Sequence, residues 1–243
     1  MSRARVERLP VPELGRDVEA RVLVPVAPAA AERWLVLAHG AGAGPSHPFL
    51  ETLAGALASL GFASLRFAFP YLDDGRRRPD RPEVLLATAR AALQSAVDRS
   101  GGLPVYATGK SMGGRMLSIL ASREDLSPVR GLVFYGFPLH PARKPATERS
   151  AHLGQVPLPM LFLQGTRDAL ADLSLLEPIC EGLGPKARLH VIDDADHGFG
   201  MTKRSGRTDE DAIRELAAET LRFAEDTEES GAIGLPGTEG TRG

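Results

Sequence analysis

The chain has 243 residues, of which 43% are hydrophobic and 25% are charged, and its formal net charge is −2. This length and composition are typical of a single soluble α/β domain with a sizeable core. The small net charge excludes a global basic excess that would hold a nucleic acid or an anionic membrane.

Apolar strand-like segments alternate with amphipathic helical segments along most of the chain. In chain order the patterns predict strand 17–26, strand 33–39, helix 48–60, strand 62–69, helix 82–97, strand 104–108, helix 111–122, strand 130–137, a short helix near 148–153, strand 159–164, helix 173–182, strand 187–192 and helix 209–225. The first strand is expected to belong to an N-terminal antiparallel hairpin. Pro82 at the start of its helix and Thr208 as an N-cap are typical helix-start signals.

This alternation predicts an α/β fold with a doubly wound, mostly parallel sheet, helices on both faces and right-handed crossovers. Ligands in such folds bind beyond the carboxyl ends of the strands, so functional residues are expected in the loops after each strand. We expect residues 1–225 to form this single domain. Residues 226–243 are rich in Gly, Glu and Thr and lack periodicity, which predicts a flexible tail.

The most informative motif is the run 109–113 (Gly-Lys-Ser-Met-Gly), which joins a predicted strand directly to a predicted helix. A serine at the centre of such a turn has a strained backbone, and the residues two before and two after it must be small because they crowd each other. Gly109 and Gly113 meet that need. The turn places Ser111 at the positive end of the following helix, and we predict that it is a nucleophile.

Two other interpretations of this run stay open. Gly-Lys-Ser also ends a phosphate-binding loop, but that motif needs a glycine at position 104, where this chain has Pro104. Residues 105–108 also have the pattern of a strand rather than of a loop. The remaining alternative is a glycine-rich helix start whose serine has no chemical role.

A second glycine-rich loop, residues 39–44, also follows a predicted strand. Acyl transfer develops negative charge on a carbonyl oxygen, and each backbone N–H group preset around that oxygen stabilises it by roughly 3 kcal/mol. The N–H groups of Ala41 and Met112 are the expected donors. Gly40 would let the backbone approach the substrate, whereas His39 is expected to organise the loop rather than to transfer protons.

An acid and a base are expected after the nucleophile, in the order serine, carboxylate, histidine. The histidines that follow Ser111 are His140, His152, His190 and His197. Of these, His197 lies just past the last predicted strand, where the base should be. Asp168 lies after strand 159–164, where its carboxylate would orient His197 and stabilise the imidazolium. Asp172 is the alternative acid, and Asp196 is expected to support the loop.

The single cysteine, Cys180, excludes an intrachain disulfide and suits a reducing compartment. Its helical setting predicts a small buried residue rather than a nucleophile. No grouping of His, Cys and carboxylate residues has the spacing of a metal site, so we expect neither a metal nor another cofactor.

The N-terminus carries charge but no apolar segment of a secretory signal, and no apolar run approaches the ~18 residues of a membrane span. We therefore expect a cytoplasmic protein with neither a membrane nor a nucleic-acid partner.

Seven motifs carry a resemblance that covers roughly residues 33–222: His39-Gly40-Ala41-Gly42, His47-Pro48-Phe49, Arg66-Phe67-Ala68-Phe69-Pro70-Tyr71, Gly109-Lys110-Ser111-Met112-Gly113-Gly114-Arg115-Met116, Gly136-Phe137-Pro138-Leu139-His140-Pro141, Gln164-Gly165-Thr166-Arg167-Asp168 and Asp196-His197-Gly198. Together they resemble one subgroup of α/β-hydrolases that is related to dienelactone hydrolases. That subgroup includes the testis-expressed hydrolase-like proteins and a subunit of the NSL chromatin complex.

The resemblance implies the α/β-hydrolase fold and supports Ser111, Asp168 and His197 as a catalytic triad. It does not fix the substrate, because members are mostly called hydrolase-like and some eukaryotic relatives act as complex subunits. Dienelactone hydrolases proper use a cysteine where this chain has Ser111, which argues against carrying over their specificity.

The segment between strands 130–137 and 159–164 is too short for a lid domain, so we expect an open and shallow site. The candidates for lining it are Gly40, Arg115, His140 and Lys203. For the last three, an ordinary surface or structural role is the alternative.

The leading hypothesis is hydrolysis of a small carboxylic ester or thioester through an acyl-Ser111 intermediate, by a monomer or homodimer that acts on a small-molecule acyl substrate. His197 would take the Ser111 proton, return it to the leaving group and then activate water. Two alternatives stay open. One is peptidase or acyltransferase chemistry with the same triad, and the other is a catalytically idle binding or scaffold protein on a hydrolase fold.

Overall fold

A computed structural model of the chain describes residues 4–26 and 30–233, without the side chains of residues 231–233. Within these residues eight strands form one sheet: β1 (Arg5–Val11), β2 (Arg16–Leu23), β3 (Arg33–Ala38), β4 (Phe62–Phe67), β5 (Val105–Lys110), β6 (Val129–Tyr135), β7 (Met160–Gly165) and β8 (Ala187–Ile192). The same residues form six α-helices: α1 (Pro48–Ser59), α2 (Pro70–Asp73), α3 (Pro82–Ser100), α4 (Met112–Ala121), α5 (Leu173–Leu183) and α6 (Asp209–Ile233).

The strand order across the sheet is β1-β2-β4-β3-β5-β6-β7-β8. Strands β3 to β8 are parallel, and β2 runs antiparallel to both of its neighbours, β1 and β4. The predicted N-terminal hairpin and the mostly parallel sheet are therefore confirmed. Because the parallel strands all end at one edge, the loops that follow them meet there.

The helices cover both faces of the sheet, as the doubly wound prediction requires. On one face α1 and α6 enclose a core that includes Leu35 and Leu37 of β3. On the other face α3, α4 and α5 enclose a core that includes Val36 and Ala38 of the same strand. The central parallel strands β3, β5, β6 and β7 are mostly apolar because side chains on both faces are removed from water, whereas the edge strand β8 is only partly buried.

Several elements differ in type or in bounds from the sequence-based expectation. The single-turn helix α2 was not predicted, because one turn that begins at Pro70 has no periodicity to detect. The short helix expected near 148–153 is instead a pair of 3₁₀ turns, Glu148–Ser150 and Leu153–Gln155. Strand β5 continues to Lys110, two residues beyond its predicted end, because the backbone stays paired with β6 as far as Tyr135. None of the helices in the described part of the chain combines the length and the apolar character needed to cross a membrane.

Helix α6 continues to Ile233, so the flexible tail predicted for residues 226–243 needs correction over its first eight positions. Side chains hold this extension against the sheet. Arg33 on β3 donates two hydrogen bonds to the Glu228 carboxylate, at 2.8 and 2.9 Å, and the Tyr106 hydroxyl on β5 donates to the same carboxylate at 2.9 Å. Composition alone does not reveal these tertiary contacts. Residues 234–243 of the predicted tail lie outside the described residues.

We predict that Glu228→Ala lowers the free energy of unfolding by about 1–3 kcal/mol, because it leaves Arg33, whose side chain is 12% exposed, without its main partner. Urea unfolding followed by circular dichroism would measure the change. The matched control is Glu229→Ala, one position further on the exposed side of α6, which should stay within about 0.5 kcal/mol of the parent. Equal stabilities for the two variants would contradict an anchoring role for Glu228.

Candidate active site

Ser111 lies between β5 and α4 with φ 51° and ψ −119°, in a region that residues with side chains rarely adopt. Backbone hydrogen bonds hold it there. Its N–H donates to Tyr135 O at 3.2 Å, and its carbonyl accepts from Arg115 N at 3.1 Å. This geometry places the Ser111 side chain beyond the carboxyl end of the sheet, at the N-terminus of α4.

Three glycines around Ser111 allow backbone contacts that any side chain would prevent. A Cβ atom at Gly113 would lie 2.6 Å from the carbonyl oxygens of Ala38 and His39, and one at Gly114 would lie 2.7 Å from Gly109 O. A Cβ atom at Gly109 would collide with the backbone of Gly114. The first turn of α4 is therefore in direct backbone contact with the ends of β3 and β5.

The structure brings Ser111, His197 and Asp168 into one hydrogen-bonded series. His197 Nε2 lies 2.9 Å from Ser111 Oγ, and His197 Nδ1 lies 2.6 Å from Asp168 Oδ2. With Nδ1–H donating to the carboxylate, Nε2 is free to accept the hydroxyl proton of the serine. The Asp168 side chain is fully buried, whereas the His197 side chain is 24% exposed.

The side chain of Gln164 holds the Asp168 carboxylate in place. Its side-chain amide donates to Asp168 Oδ2 and its carbonyl oxygen accepts from Phe137 N at 2.9 Å, while Asp168 Oδ1 accepts from Leu170 N at 2.7 Å. Gln164 belongs to one of the seven sequence motifs, but no role was predicted for it. The available signal was an amide side chain near the end of an otherwise apolar strand, where a buried polar group requires partners.

The loop that carries His197 is closed on Asp196. The Asp196 carboxylate accepts from Gly198 N at 2.7 Å and from Gly200 N at 2.9 Å. A Cβ atom at Gly165, the last residue of β7, would collide with Ala195 O, so the end of that strand packs directly on this loop. Asp196 thus occupies the supporting position that the sequence predicted for it.

Lys110 joins two segments of the site. One is the turn between β5 and α4 that carries Ser111 (the nucleophile turn), and the other is the loop after β8 that carries His197 (the histidine loop). Its Nζ donates to the His197 carbonyl oxygen and lies 5.9 and 5.4 Å from the ring centroids of Phe49 and Phe199. Burial lowers the pKa of Lys110 to about 8. In the sequence, Lys110 was recognised only as part of the serine motif and was given no role.

His39 organises the glycine-rich loop. Its Nδ1–H donates to Gly40 O at 2.8 Å, and its Nε2 accepts from Phe69 N at 3.0 Å. Burial lowers its pKa to about 4, which keeps the ring neutral and preserves the acceptor. These contacts agree with the organising role expected for His39, and a Cβ atom on Gly40 in the same loop would lie 3.4 Å from Ser111 Cβ.

A cavity of about 330 Å³ opens in front of the serine. The residues that line it are Gly40, Ala41, Ala43, His47, Phe49, Leu50, Lys110, Ser111, Leu170, His197 and Gly198. In the part of the chain that the structure describes, no lid covers it, because the segment between β6 and β7 forms loops and two 3₁₀ turns.

His140, expected to line the substrate site, is instead buried and structural. Its Nδ1–H donates to Pro141 O and its Nε2 accepts from Asp172 N, each at 2.9 Å. Asp172 in turn caps α5 by accepting from Ser174 N at 3.0 Å, so the alternative acid is committed to a helix end. The position of His140 after a strand did not show whether its side chain holds the loop or faces the substrate.

Arg115 and Lys203 are likewise absent from the lining of the cavity. Arg115 is half-buried on α4, where burial and the neighbouring Arg149 lower its pKa, and Lys203 begins an exposed 3₁₀ turn. Of the four residues expected to line the site, the structure places Gly40 there.

The remaining titratable candidates lie elsewhere. His152 Nε2 is 2.7 Å from Ser118 Oγ, and His190 Nε2 is 2.7 Å from a Glu215 carboxylate oxygen on α6. Burial raises the pKa of the Cys180 thiol to about 12, which suppresses the thiolate needed for nucleophilic attack. No group of three or more His, Cys, Asp and Glu residues suited to a metal ion occurs among the described residues.

Comparison with known proteins supports the expected fold class. The profile of a family described as an alpha/beta hydrolase domain matches residues 31–225. A dienelactone hydrolase from Anabaena variabilis superposes with a TM-score of 0.70 at 22% identity, covering 93% of this chain and 98% of that one. An α/β serine hydrolase without a lid from Xanthomonas campestris gives 0.70 at 20% identity, covering 91% and 94%. A serine hydrolase homologue from Coxiella burnetii gives 0.70 at 21% identity, covering 90% and 97%. The lidless fold expected from sequence is confirmed.

We predict that Gly113→Ala lowers the free energy of unfolding by about 1–3 kcal/mol, because its methyl group would meet fixed backbone carbonyls. The matched control is Gly55→Ala in α1, where an added Cβ has open space and the higher helix propensity of alanine should raise stability by about 0.5–1 kcal/mol. Thermal and urea unfolding would measure both variants. A Gly113→Ala protein as stable as its parent would contradict the backbone contact between α4 and β3.

Proposed function

Because this chain belongs to the alpha/beta hydrolase family, we propose that it is a serine hydrolase that cleaves small carboxylic esters or thioesters through an acyl-Ser111 intermediate. The observation that carries the proposal is the continuous series of short contacts from Ser111 Oγ through His197 to the buried Asp168 carboxylate. A buried carboxylate in contact with an imidazole stabilises the imidazolium that forms when the serine loses its proton.

In the acylation step, Ser111 Oγ attacks the substrate carbonyl while its proton passes to His197 Nε2. The carbonyl oxygen becomes negatively charged and accepts hydrogen bonds from the backbone N–H groups of Ala41 and Met112. Ala41 belongs to the loop held by His39, and Met112 is the first residue of α4, where the helix dipole adds to the stabilisation. The proton on His197 then goes to the departing alcohol or thiol.

In the deacylation step, His197 takes a proton from water, and the resulting hydroxide attacks the acyl-Ser111 carbonyl. Collapse of the second tetrahedral intermediate returns the proton from His197 to Ser111 Oγ and releases the acid. Every proton transfer uses the same imidazole nitrogen, so these steps require no metal or other cofactor.

The cavity in front of Ser111 favours small acyl substrates. Its volume of about 330 Å³ lies at the lower end of the ~300–1,000 Å³ range of ligand pockets. Apolar side chains of Phe49, Leu50 and Leu170 form part of its wall. A short aliphatic or aromatic acyl group would fill this space. Because no lid covers the cavity among the described residues, the leaving group of the substrate would extend into solvent.

The finer identity of the subgroup also belongs to this proposal. The seven motifs favour the dienelactone-hydrolase-related subgroup that includes the testis-expressed hydrolase-like proteins, and the use of serine favours ester over dienelactone specificity. We further propose a cytoplasmic enzyme that needs no nucleic-acid or membrane partner and acts as a monomer or homodimer.

We predict that a fluorophosphonate probe labels Ser111, and that Ser111→Ala or His197→Ala abolishes labelling without unfolding the protein. Intact-protein mass spectrometry gives the labelled fraction, and peptide mapping gives the position. Labelling should be accompanied by hydrolysis of p-nitrophenyl acetate and butyrate in preference to long-chain esters. Esterase activity that persists in Ser111→Ala would overturn the assignment, and an unlabelled parent would favour an idle binding protein. Turnover of small peptides, or acyl transfer to an added amine, instead of ester hydrolysis would favour the peptidase and acyltransferase alternatives.

We also predict that Asp168→Asn lowers kcat by about 10⁴-fold, because an amide no longer selects the tautomer that leaves His197 Nε2 free to accept a proton. The matched control is Asp172→Asn, four residues away at the cap of α5, which should keep kcat within a few-fold of the parent. Steady-state kinetics on p-nitrophenyl acetate would compare them. A larger loss in the Asp172 variant would transfer the acid role to that residue.

A further inference from the structure

We propose that Lys110 is a positioning residue, which holds the histidine loop onto the nucleophile turn and places a cation against the Asp168–His197 pair; this inference rests on the proposed function. Nothing in the serine-hydrolase steps given above uses this side chain. Its location nevertheless connects the two residues that exchange the proton.

The geometry is a direct bridge between the two loops. Lys110 precedes Ser111 in the chain, and its Nζ donates to the carbonyl oxygen of His197 itself. The contact therefore fixes the backbone of the base relative to the backbone of the nucleophile. A displacement of either loop changes the distance of 2.9 Å between His197 Nε2 and Ser111 Oγ.

Two aromatic rings lie on one side of the ammonium. Phe49 and Phe199 stack on each other with centroids 5.7 Å apart and an interplanar angle of 13°, and Lys110 Nζ lies within 6 Å of both centroids. Phe199 has φ 63°, a backbone conformation that costs free energy unless its surroundings enforce it. A cation is attracted electrostatically to the face of an aromatic ring, and a neutral side chain at the same place lacks this attraction.

Gly136 provides the room that this arrangement needs. It has φ 73°, and a Cβ atom there would lie 3.0 Å from Lys110 Nζ and 3.3 Å from Cε1 and Nδ1 of His197. The ammonium and the imidazole thus flank the same point at the end of β6. They are close enough for the charge of one to influence protonation of the other.

The charged and titratable groups around Lys110 come from several elements. Asp168 follows β7, Asp196 and His197 follow β8, Tyr135 is the register partner of Lys110 on β6, and His47 lies across the cavity at the start of α1. The buried carboxylate of Asp168 favours the imidazolium form of His197, whereas the ammonium of Lys110 opposes it. Removal of the Lys110 charge should therefore make the imidazolium easier to form.

Burial of Lys110 also makes the stability of the fold depend on pH. Burial lowers the pKa of Lys110 from 10.5 in the unfolded chain to about 8 in the fold. The unfolded state therefore binds more protons between these values, and the lysine lowers the stability of the fold below pH 8 relative to its value above pH 10.5. Loss of the ammonium charge above about pH 8 should also weaken the bridge and reduce activity there.

The experiment compares Lys110→Met and Lys110→Arg with the parent, with Lys186→Met as the matched control. Lys186 is also a lysine that donates to main-chain carbonyls, at 3.1 and 3.4 Å, but it lies outside the cavity. The measurements are kcat and KM for p-nitrophenyl acetate from pH 5 to 10, together with the midpoint of thermal unfolding. Lys186→Met should leave the pH profile unchanged.

For Lys110→Met we expect kcat to fall by about 10²-fold with KM within a few-fold, because the base is misplaced relative to the serine. The acid limb of the pH profile should move up by about one pH unit, since the opposing cation is gone, and the alkaline decline near pH 8 should disappear. The unfolding midpoint should not fall. Lys110→Arg keeps the cation, so its acid limb should stay with the parent even if kcat is reduced.

An unchanged kcat and pH profile in Lys110→Met would overturn the proposal. A fall in kcat that accompanies a fall in the unfolding midpoint without a shift of the acid limb would also overturn it, because that result describes a structural residue only. If the parent neither labels nor hydrolyses esters, the proposed function fails, and NMR titration of the His197 ring, assigned with His197→Gln, still tests the lysine. Its imidazolium should form at higher pH in Lys110→Met, and an identical titration would reject the inference.

Discussion

The first turn of α4 lies so close to the ends of β3 and β5 that no side chain fits between them. Gly113 and Gly114 meet backbone carbonyls there at distances that leave no room for a Cβ atom. This contact fixes the height of Ser111 above the sheet and forces its positive φ angle. It also directs the N-terminus of α4 at the space where a substrate carbonyl would lie, so the rest of the site is arranged around a turn that cannot relax.

The remaining site residues are held by buried polar groups that satisfy one another. Gln164 links the Asp168 carboxylate to the backbone at Phe137, and thereby ties the end of β7 to the loop after β6. His39 performs a similar task between its own loop and Phe69. Because an unsatisfied polar group in such a position costs about 1–3 kcal/mol, each of these networks specifies one loop conformation. Rigid loops on a rigid sheet keep the imidazole within hydrogen-bond distance of the serine.

Much of this arrangement is predictable from sequence because parallel strands leave clear signals. The central ones are mostly apolar on both faces, β3 and β5 end at glycine-rich turns, and all of them deliver their last residues to a common edge. That is why the sequence predicted the sheet and why Ser111, Asp168 and His197 lie together as their order suggested. The residues that were missed or misplaced depend on contacts between distant segments. The roles of Gln164 and Lys110, the buried setting of His140 and the length of α6 become visible only when the loops are placed beside one another.

Helix α6 has a consequence for how the chain acquires its structure. Together with α1, it covers the face of the sheet that carries Leu35 and Leu37. In sequence, about 150 residues lie between the end of α1 and the start of α6. During synthesis, α1 alone can cover this apolar face until α6 has been made. Partly made chains of this protein should therefore expose apolar surface that only α6 removes from water, which makes docking of this helix a late step in folding.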